Sequence, residues 1–369
     1  MDKFGSFKTT YHYDADTFKG EMNPGVDIFV KEESSSSSPS SQQTAEYSQK
    51  QSVNFDHPHI LPCYGTQKLE SKSRTLYMDF DYTLKKYIEE FGPVKKIFFP
   101  LPQNDDTERL PYEYLPNKFR RIIRGAIEGI IYLHKKKSSL ESLSIDNFVV
   151  VEGEVKLGFL RLVPYTGAKT AQHDFMYLGK VLIEVFGENK EDKPPREYLP
   201  GDLQDLARCM YNYGGEGDNI LLLNHLAVLT TKERVRVIKS YYVSQYYGNL
   251  QPSFATIFAE MDHQGPNPAK LVAELKARDA KFGAAVLSWC DAKAKEIEGG
   301  TTRNGAIIKM ASDMATDLPR HILKTKKLGM HLGQCSEEEV ELSVMCIFWK
   351  HLVRFQEKAN NIRILHHLV

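Results

Sequence analysis

The chain of 369 residues has no net charge and no long apolar run. Its 48 basic and 48 acidic side chains cancel, so no whole-protein electrostatic attraction to nucleic acid is expected. No stretch of about 18 apolar residues occurs, which excludes an obvious membrane-spanning helix. The first residues, MDKFGSFKTTYHYD, lack the apolar core of a signal peptide. We therefore predict neither a membrane nor a DNA partner.

Closely spaced cysteines are also missing. The five cysteines, at 63, 209, 290, 335 and 346, are scattered and form no CxxC pair. This spacing argues against a zinc site and against a disulfide framework. We predict reduced thiols in a cytoplasmic or nuclear protein.

The residues that are present are typical of globular protein, with 41% hydrophobic and 26% charged residues. At roughly 100 to 200 residues per domain, the length predicts two domains or one domain with an extension. The serine-rich stretch 34–41, SSSSSPSS, predicts a flexible loop.

The apolar pattern changes along the chain. Short β-branched and aromatic runs at 26–30 and 75–80 predict strands, and those at 148–151 and 155–159 predict a hairpin. A loop is predicted over 92–116. Helical spacing is found at 84–91, 118–134, 175–186, 203–211, 232–247, 268–280, 284–298, 305–314 and 337–357. A small β-rich beginning with a long helical remainder predicts an α+β fold.

The order of these elements resembles that of the eukaryotic protein kinases. The resemblance begins with IFVK at 28–31, HPHILPCYG at 57–65 and LYMDFDYTL at 76–84. It continues with the helix FRRIIRGAIEGIIYLH at 119–134, the catalytic-loop-like SLSIDNFV at 142–149 and the F-helix-like HDFMYLGKVLIEV at 173–185. The resemblance implies a bilobal kinase-like domain over 1–228, with a small β-rich N-lobe and a helical C-lobe.

The second half is similar to a narrower family, the kinase/endoribonucleases that include the unfolded-protein-response sensor and ribonuclease L. The segment 203–229, LQDLARCMYNYGGEGDNILLLNHLAVL, resembles the junction at which that family continues into a kinase-extension nuclease (KEN) domain. TKERVRVIKSYYV at 231–243, DLPRHI at 317–322 and FWKHLVRFQEK at 348–358 follow in the corresponding order. This implies a helical KEN-like extension over 229–369, with an unrelated helical module as the alternative.

The kinase resemblance implies a nucleotide site. Lys31 stands at the phosphate-binding lysine, Glu46 at its partner, and Met78 to Asp81 at the hinge that binds adenine. Asn147 stands at a magnesium ligand, and Asp174 at the position that clamps the catalytic-loop backbone. From the residues alone, a solvated Lys31 and a turn-capping Asn147 are the alternatives.

Other parts of the phosphoryl-transfer machinery are missing. Residues 10–16 contain no glycine, so backbone amides cannot approach phosphates closely. Ser142 replaces the aspartate base, and Phe159 replaces the metal-binding aspartate. The segment 162–173 is too short for a full activation segment. We predict a pseudokinase, with binding of ATP or ADP, and of magnesium, left open.

The nuclease chemistry is degenerate as well. The family's Arg-Asn-Lys-x-x-His-Tyr segment aligns with Leu323-Lys324-Thr325 and Leu328-Gly329, so the catalytic histidine is missing. In a shifted register the candidate RNA contacts are His321, Lys324, Lys326, Lys327 and His331. A solvated basic helix end is the alternative.

The predicted function is regulatory binding in stress signalling, as a homodimer or as a heterodimer with an active kinase/endoribonuclease. Residual activity as an ATP-dependent serine/threonine kinase or as an RNA endonuclease is the alternative. The apolar run Ile347-Phe348-Trp349, with Leu352, Val353 and Phe355, is predicted to pack on the kinase-like domain or to form a dimer surface.

Overall fold

The computed structural model describes residues 7–12, 17–22, 27–34, 55–68, 72–91, 95–97, 112–186, 201–247, 253, 256–257 and 352–368. Contacts divide the chain into two compact units. The first comprises 1–93, 121–197 and 207–216, and the second comprises 94–120, 198–206 and 217–369. The domain boundary predicted at 228/229 falls inside the second unit.

The first unit contains a five-stranded antiparallel sheet. Its strands are β1 (Phe7–His12), β2 (Thr17–Met22), β3 (Asp27–Ser34), β4 (Cys63–Lys68) and β5 (Lys72–Met78). They lie in the order β1-β2-β3-β5-β4, which places β3 at the centre. Ile28, Val30 and Leu76 form one buried cluster, whereas Phe29 and Tyr77 belong to another. Neighbouring residues fall into different clusters because successive side chains of a strand lie on opposite faces of the sheet.

Three smaller pairings complete the strands of this unit. The elements are β6 (Tyr82–Thr83), β9 (Ser138–Leu140), β10 (Phe148–Val151), β11 (Glu154–Leu157) and β12 (Leu162–Pro164). β10 pairs with both β11 and β6, and β9 pairs with β12. Glu152 and Gly153 join β10 to β11 with φ angles of +52° and +80°, the conformation that a two-residue type I′ hairpin turn requires.

Helices supply the rest of the core of the first unit. They are α1 (Leu84–Phe91), the 121–135 portion of α2 (Asn117–Lys135), and α3 (Ala168–Phe186). Ile127 and Ile130 of α2 and Phe175 of α3 are fully buried. Gly125 and Gly129 lie one turn apart on α2, and a Cβ at Gly125 would come within 2.6 Å of His59 Nδ1. Glycine is therefore what allows α2 to approach the 57–60 turn so closely.

The second unit is mainly helical. It includes β7 (Lys95–Ile97) paired with β8 (Tyr112–Tyr114), the start of α4 (Gly201–Tyr211), α5 (Asp218–Asn224), α6 (Thr231–Tyr247) and α7 over 352–361. Arg120 is buried and donates to Leu115 O, to the Asp202 carboxylate and to Ala227 O at 2.9, 3.2 and 2.6 Å. This buried guanidinium joins three parts of the unit that are distant in sequence.

The fold is mixed, with a small antiparallel sheet and several helices, which agrees with the predicted α+β class. The helices predicted at 84–91 and 118–134 are confirmed as α1 and α2. Several bounds were wrong: β3 extends to Ser34, the first residue of the predicted serine-rich loop, β5 ends at Met78, β11 ends at Leu157, and α3 begins at Ala168. In addition, β7 and β8 occupy part of the loop predicted over 92–116. Residues 35–41 of the serine-rich loop lie outside the described residues. The helices predicted at 268–280, 284–298 and 305–314, and 337–351 of the last one, lie outside the described residues.

Within the described parts of the chain, no helix combines the length and the apolarity needed to cross a membrane.

Candidate functional site

Lys31, the predicted phosphate-binding residue, faces an aromatic ring. Its Nζ lies 5.4 Å from the centroid of the Phe159 ring, which is within cation–π range. Both residues belong to the first unit. Glu46, the predicted partner of Lys31, lies outside the described residues.

Phe159 belongs to an aromatic cluster formed by Phe29, Tyr77, Phe80 and Phe159. The ring centroids of Phe29 and Phe80 are 4.6 Å apart, and those of Phe159 lie 5.3 Å from Phe29 and 5.9 Å from Phe80. Tyr77 meets Phe159 edge-on at 5.0 Å. These separations are those of favourable aromatic pairs, each of which adds roughly 0.5 to 1.5 kcal/mol beyond the burial of area.

Phe159 reaches the cluster through an uncommon backbone conformation. Its φ of +54° lies in the left-handed region, which costs a non-glycine residue roughly 1 to 2 kcal/mol. Asn147 offsets part of this cost, because its side-chain amide donates to Phe159 O at 3.1 Å and its backbone carbonyl accepts from Gly158 N–H at 2.8 Å. The chain therefore leaves β11 at Gly158, and the Phe159 ring lies in the aromatic cluster.

The predicted hinge, Met78 to Asp81, has several backbone groups engaged within the protein. Met78 N–H donates to Pro62 O and Asp81 N–H donates to Val150 O, both at 3.0 Å. Lys19 Nζ donates to Phe80 O at 3.1 Å and pairs with the Asp79 carboxylate at 2.7 Å. An adenine ring at the hinge would have to displace some of these interactions.

In the predicted catalytic loop, the Asn147 side chain stabilises a turn. Asn147 Oδ1 accepts from Ser144 N–H at 2.9 Å, and its Nδ2 also donates to Gly158 O at 3.3 Å. Its side chain is thus engaged as a turn cap, the alternative that the sequence allowed. Ser142 is exposed and offers a hydroxyl where a base would need a carboxylate. Phe159, which the resemblance places at the second metal ligand, carries no oxygen donor of the kind that magnesium prefers.

Asp174 is fully buried at the end of the second turn of α3 and accepts three hydrogen bonds. Leu140 N–H donates to Oδ1 at 3.1 Å, while Ser139 Oγ and His134 Nε2 each donate to Oδ2 at 2.7 Å. The carboxylate therefore ties β9 and the end of α2 to α3. This geometry holds the backbone at Leu140, just before the predicted catalytic loop.

Cys63 lies against the aromatic cluster and is unreactive. Burial raises the pKa of its thiol to about 11, and the hydrogen bond to Gly65 O opposes this only weakly. Because the thiolate is the nucleophilic form, Cys63 is a packing residue.

The candidate RNA contacts, His321, Lys324, Lys326, Lys327 and His331, lie outside the described residues. Of the predicted site residues that the structure describes, Lys31, Phe80 of the hinge and Asn147 each contact Phe159. Comparison of the sequence with protein-family models finds no match, and comparison with curated proteins finds no significant match.

Sequence reasoning missed the residues that fill the space beside Lys31. Phe29 stands two residues before the lysine, where the kinase pattern V-A-I-K has alanine. That difference is a signal in the sequence of a large ring near Lys31. Phe80, and Lys19 on the hinge carbonyl, become apparent only when β2, β3 and the hinge are placed together in space.

Proposed function

We propose that this protein is a protein-kinase-like pseudoenzyme that works by binding other proteins, with its nucleotide pocket filled by its own side chains. One observation carries the proposal. The Phe159 ring, which the resemblance places at the metal-binding aspartate, packs against Phe29 and Phe80 and lies 5.4 Å from the Lys31 ammonium.

Two features of the first unit support the kinase-like part. A five-stranded antiparallel sheet carries Lys31 on its central strand, in keeping with the small β-rich lobe implied by the resemblance. Asp174 on α3 accepts the backbone N–H of Leu140, the contact expected of the residue that clamps the catalytic loop. Along the chain, the hairpin of β10 and β11 lies between the five-stranded sheet and α3.

The aromatic cluster explains why catalysis is not the proposed function. A nucleotide entering beside Lys31 would have to displace buried rings, and fully exposing one such side chain costs about 1.5 to 3 kcal/mol. The two residues that would carry the chemistry, Ser142 and Phe159, supply neither a base nor a metal-binding carboxylate.

The proposed regulatory role follows from combining a kinase-like fold with the loss of the catalytic groups. A chain with the surface of a kinase-like domain and no working site can bind an active kinase/endoribonuclease, or a second copy of itself, without competing for substrate. The KEN-like extension over 229–369 would belong to the same binding role in stress signalling. This step rests on the family resemblance.

A thermal-shift titration tests the filled pocket. Because a ligand that binds only the folded state raises the apparent stability, we expect millimolar ATP or ADP, with or without Mg²⁺ or Mn²⁺, to leave the wild-type Tm within about 1 °C. The double variant Phe29→Ala, Phe159→Asp removes one ring and restores a carboxylate. It should gain a nucleotide- and metal-dependent shift of about 3 °C or more over its own baseline.

Phe355→Ala is the matched control. This variant also removes a fully buried ring, in the second unit, and should lower Tm without any response to nucleotide. A wild-type shift that Lys31→Ala abolishes would contradict the filled pocket. A folded double variant without any shift would argue against a kinase-like nucleotide site.

A further inference from the structure

Two histidines of the 57–59 turn connect it to neighbouring elements. Both lie in the first unit, where the turn precedes β4 and packs against α2 and β11. Their ring centroids are 5.7 Å apart.

His59 makes one polar contact through each ring nitrogen. Its Nδ1 lies 3.1 Å from Val155 O on β11, and its Nε2 lies 3.1 Å from a carboxylate oxygen of Glu128 on α2. His59 therefore bridges α2 and β11.

His57 must lack a proton on Nδ1. That nitrogen accepts the backbone N–H of His59 at 3.2 Å. The His57 ring also stacks on Tyr132 of α2, with the two centroids 4.5 Å apart. The Tyr132 hydroxyl in turn accepts the backbone N–H of Asp56 at 3.1 Å. Neutral His57 thus forms part of the packing that closes the turn.

The turn controls how the chain enters β4. Leu61 N–H donates to Leu157 O and Leu157 N–H donates to His59 O, at 2.8 and 2.9 Å. Lys156 Nζ adds a contact to Pro58 O at 2.6 Å. These contacts fasten the connection before β4, an edge strand of the five-stranded sheet, to β11.

We propose that the 57–59 turn is a proton-sensitive latch, which fastens the connection into β4 to α2 and β11 and is loosened when His57 takes up a second proton. A proton on Nδ1 would turn the acceptor for His59 N–H into a donor and would place a positive charge near Lys156 and Lys135. The latch does not depend on the nucleotide pocket or on the proposed function.

The charged groups around the turn set the direction of the response. Burial, the largest cause, lowers the pKa of His57 below its ordinary value of 6.5, and His59, Lys156 and Lys135 lower it further while Glu128 opposes them. Glu128 also pairs with Arg124 at 3.3 Å, and the charges of Glu152 and Glu154 act on Lys156. His57 therefore binds a proton more readily in the loosened turn than in the closed one. The latch is fully stable above pH 6.5 and weakens as the pH falls below 6.5.

Hydrogen exchange of the full-length protein tests the latch. After correction for intrinsic exchange rates, backbone amides of residues 57–61 should lose protection by about fivefold between about pH 7.5 and about pH 5.5, the factor expected when one ordinary hydrogen bond is lost. His57→Asn keeps an acceptor for His59 N–H but does not titrate, so its protection should be the same at both pH values. His173→Asn replaces an exposed histidine of the same unit and should respond as wild type does. Unchanged wild-type protection, or an undiminished response in His57→Asn, would overturn the proposal.

A second measurement needs no variant. Nitrogen-15 NMR of labelled histidine at neutral pH should show an unprotonated Nδ1 on His57, the nitrogen that accepts the backbone N–H of His59. Finding Nδ1 of His57 protonated would overturn the latch.

Discussion

At the scale of single residues, Asp174 makes the clearest contribution to the fold. All three groups that reach its carboxylate are donors, namely Leu140 N–H, Ser139 Oγ and His134 Nε2. An acceptor with two oxygens is what this arrangement needs, and the carboxylate supplies it at zero exposure. Hydrogen bonds to a charged group contribute about 1.5 to 3 kcal/mol each.

We therefore predict that Asp174→Asn destabilises the protein by about 2 to 4 kcal/mol, although it is nearly isosteric. The amide has one acceptor oxygen, and its NH₂ group would face another donor. Chemical denaturation measures the change. Asp146→Asn, at an exposed carboxylate on the nearby short turn, is the control and should stay within about 0.5 kcal/mol of wild type. A cost below about 1 kcal/mol for Asp174→Asn would contradict the assignment of the three bonds.

At the scale of elements, α2 depends on glycine for its packing. A Cβ at Gly125 would lie 2.6 Å from His59 Nδ1 and 3.1 Å from a Val155 methyl carbon. Such distances require the His59 ring to move, and this ring makes two hydrogen bonds. The packing gain from glycine therefore outweighs its weak helix propensity, which disfavours it by about 1 kcal/mol relative to alanine.

Gly125→Ala should for this reason destabilise the protein by about 2 kcal/mol, although alanine is the better helix former. Gly217→Ala serves as a matched control, because its backbone is right-handed helical and a Cβ there would meet nothing within 4 Å. That variant should be neutral within about 0.5 kcal/mol. If both substitutions had the same effect on the denaturation midpoint, close packing at Gly125 would not be the reason for the glycine.

The elements also show what the sequence could and could not predict. Helical periodicity located α1 and α2 almost to the residue, because each has one strongly apolar face. The start of α3 was missed, because residues 168–173, AKTAQH, carry little apolar signal and their helical state depends on packing. The aromatic cluster was not predicted, since it joins β3, the hinge and the chain after β11, which are separated by up to 130 residues from Phe29 to Phe159. Proximity of that kind comes from topology, which a local pattern does not contain.

At the scale of the whole molecule, the C-terminal apolar residues divide into two groups. Leu352, Val353 and Phe355 are buried inside the second unit, where Phe355 packs on Tyr241 with ring centroids 4.8 Å apart. Gln356 reinforces this by donating to Asn224 O at 2.8 Å. These residues therefore serve the core of their own unit. Ile347, Phe348 and Trp349, the remaining candidates for a dimer surface, lie outside the described residues.

The regulatory proposal requires that the full-length chain associates with itself or with an active kinase/endoribonuclease. Equal numbers of acidic and basic residues leave no net charge to oppose self-association.

We expect sedimentation velocity to show a concentration-dependent dimer between about 0.1 and about 50 µM, or else a stable complex when an active relative is added. Trp349→Glu should weaken that association by about tenfold or more, since large aromatic side chains dominate interface energetics. Val243→Glu changes a side chain that is 44% exposed on α6. This variant should keep the association constant within about twofold of wild type, because single exposed apolar residues are ordinary surface features. A chain that stays monomeric over this range, and that also fails to bind the active relative, would rule out the binding role without affecting the separate proposal of a filled pocket.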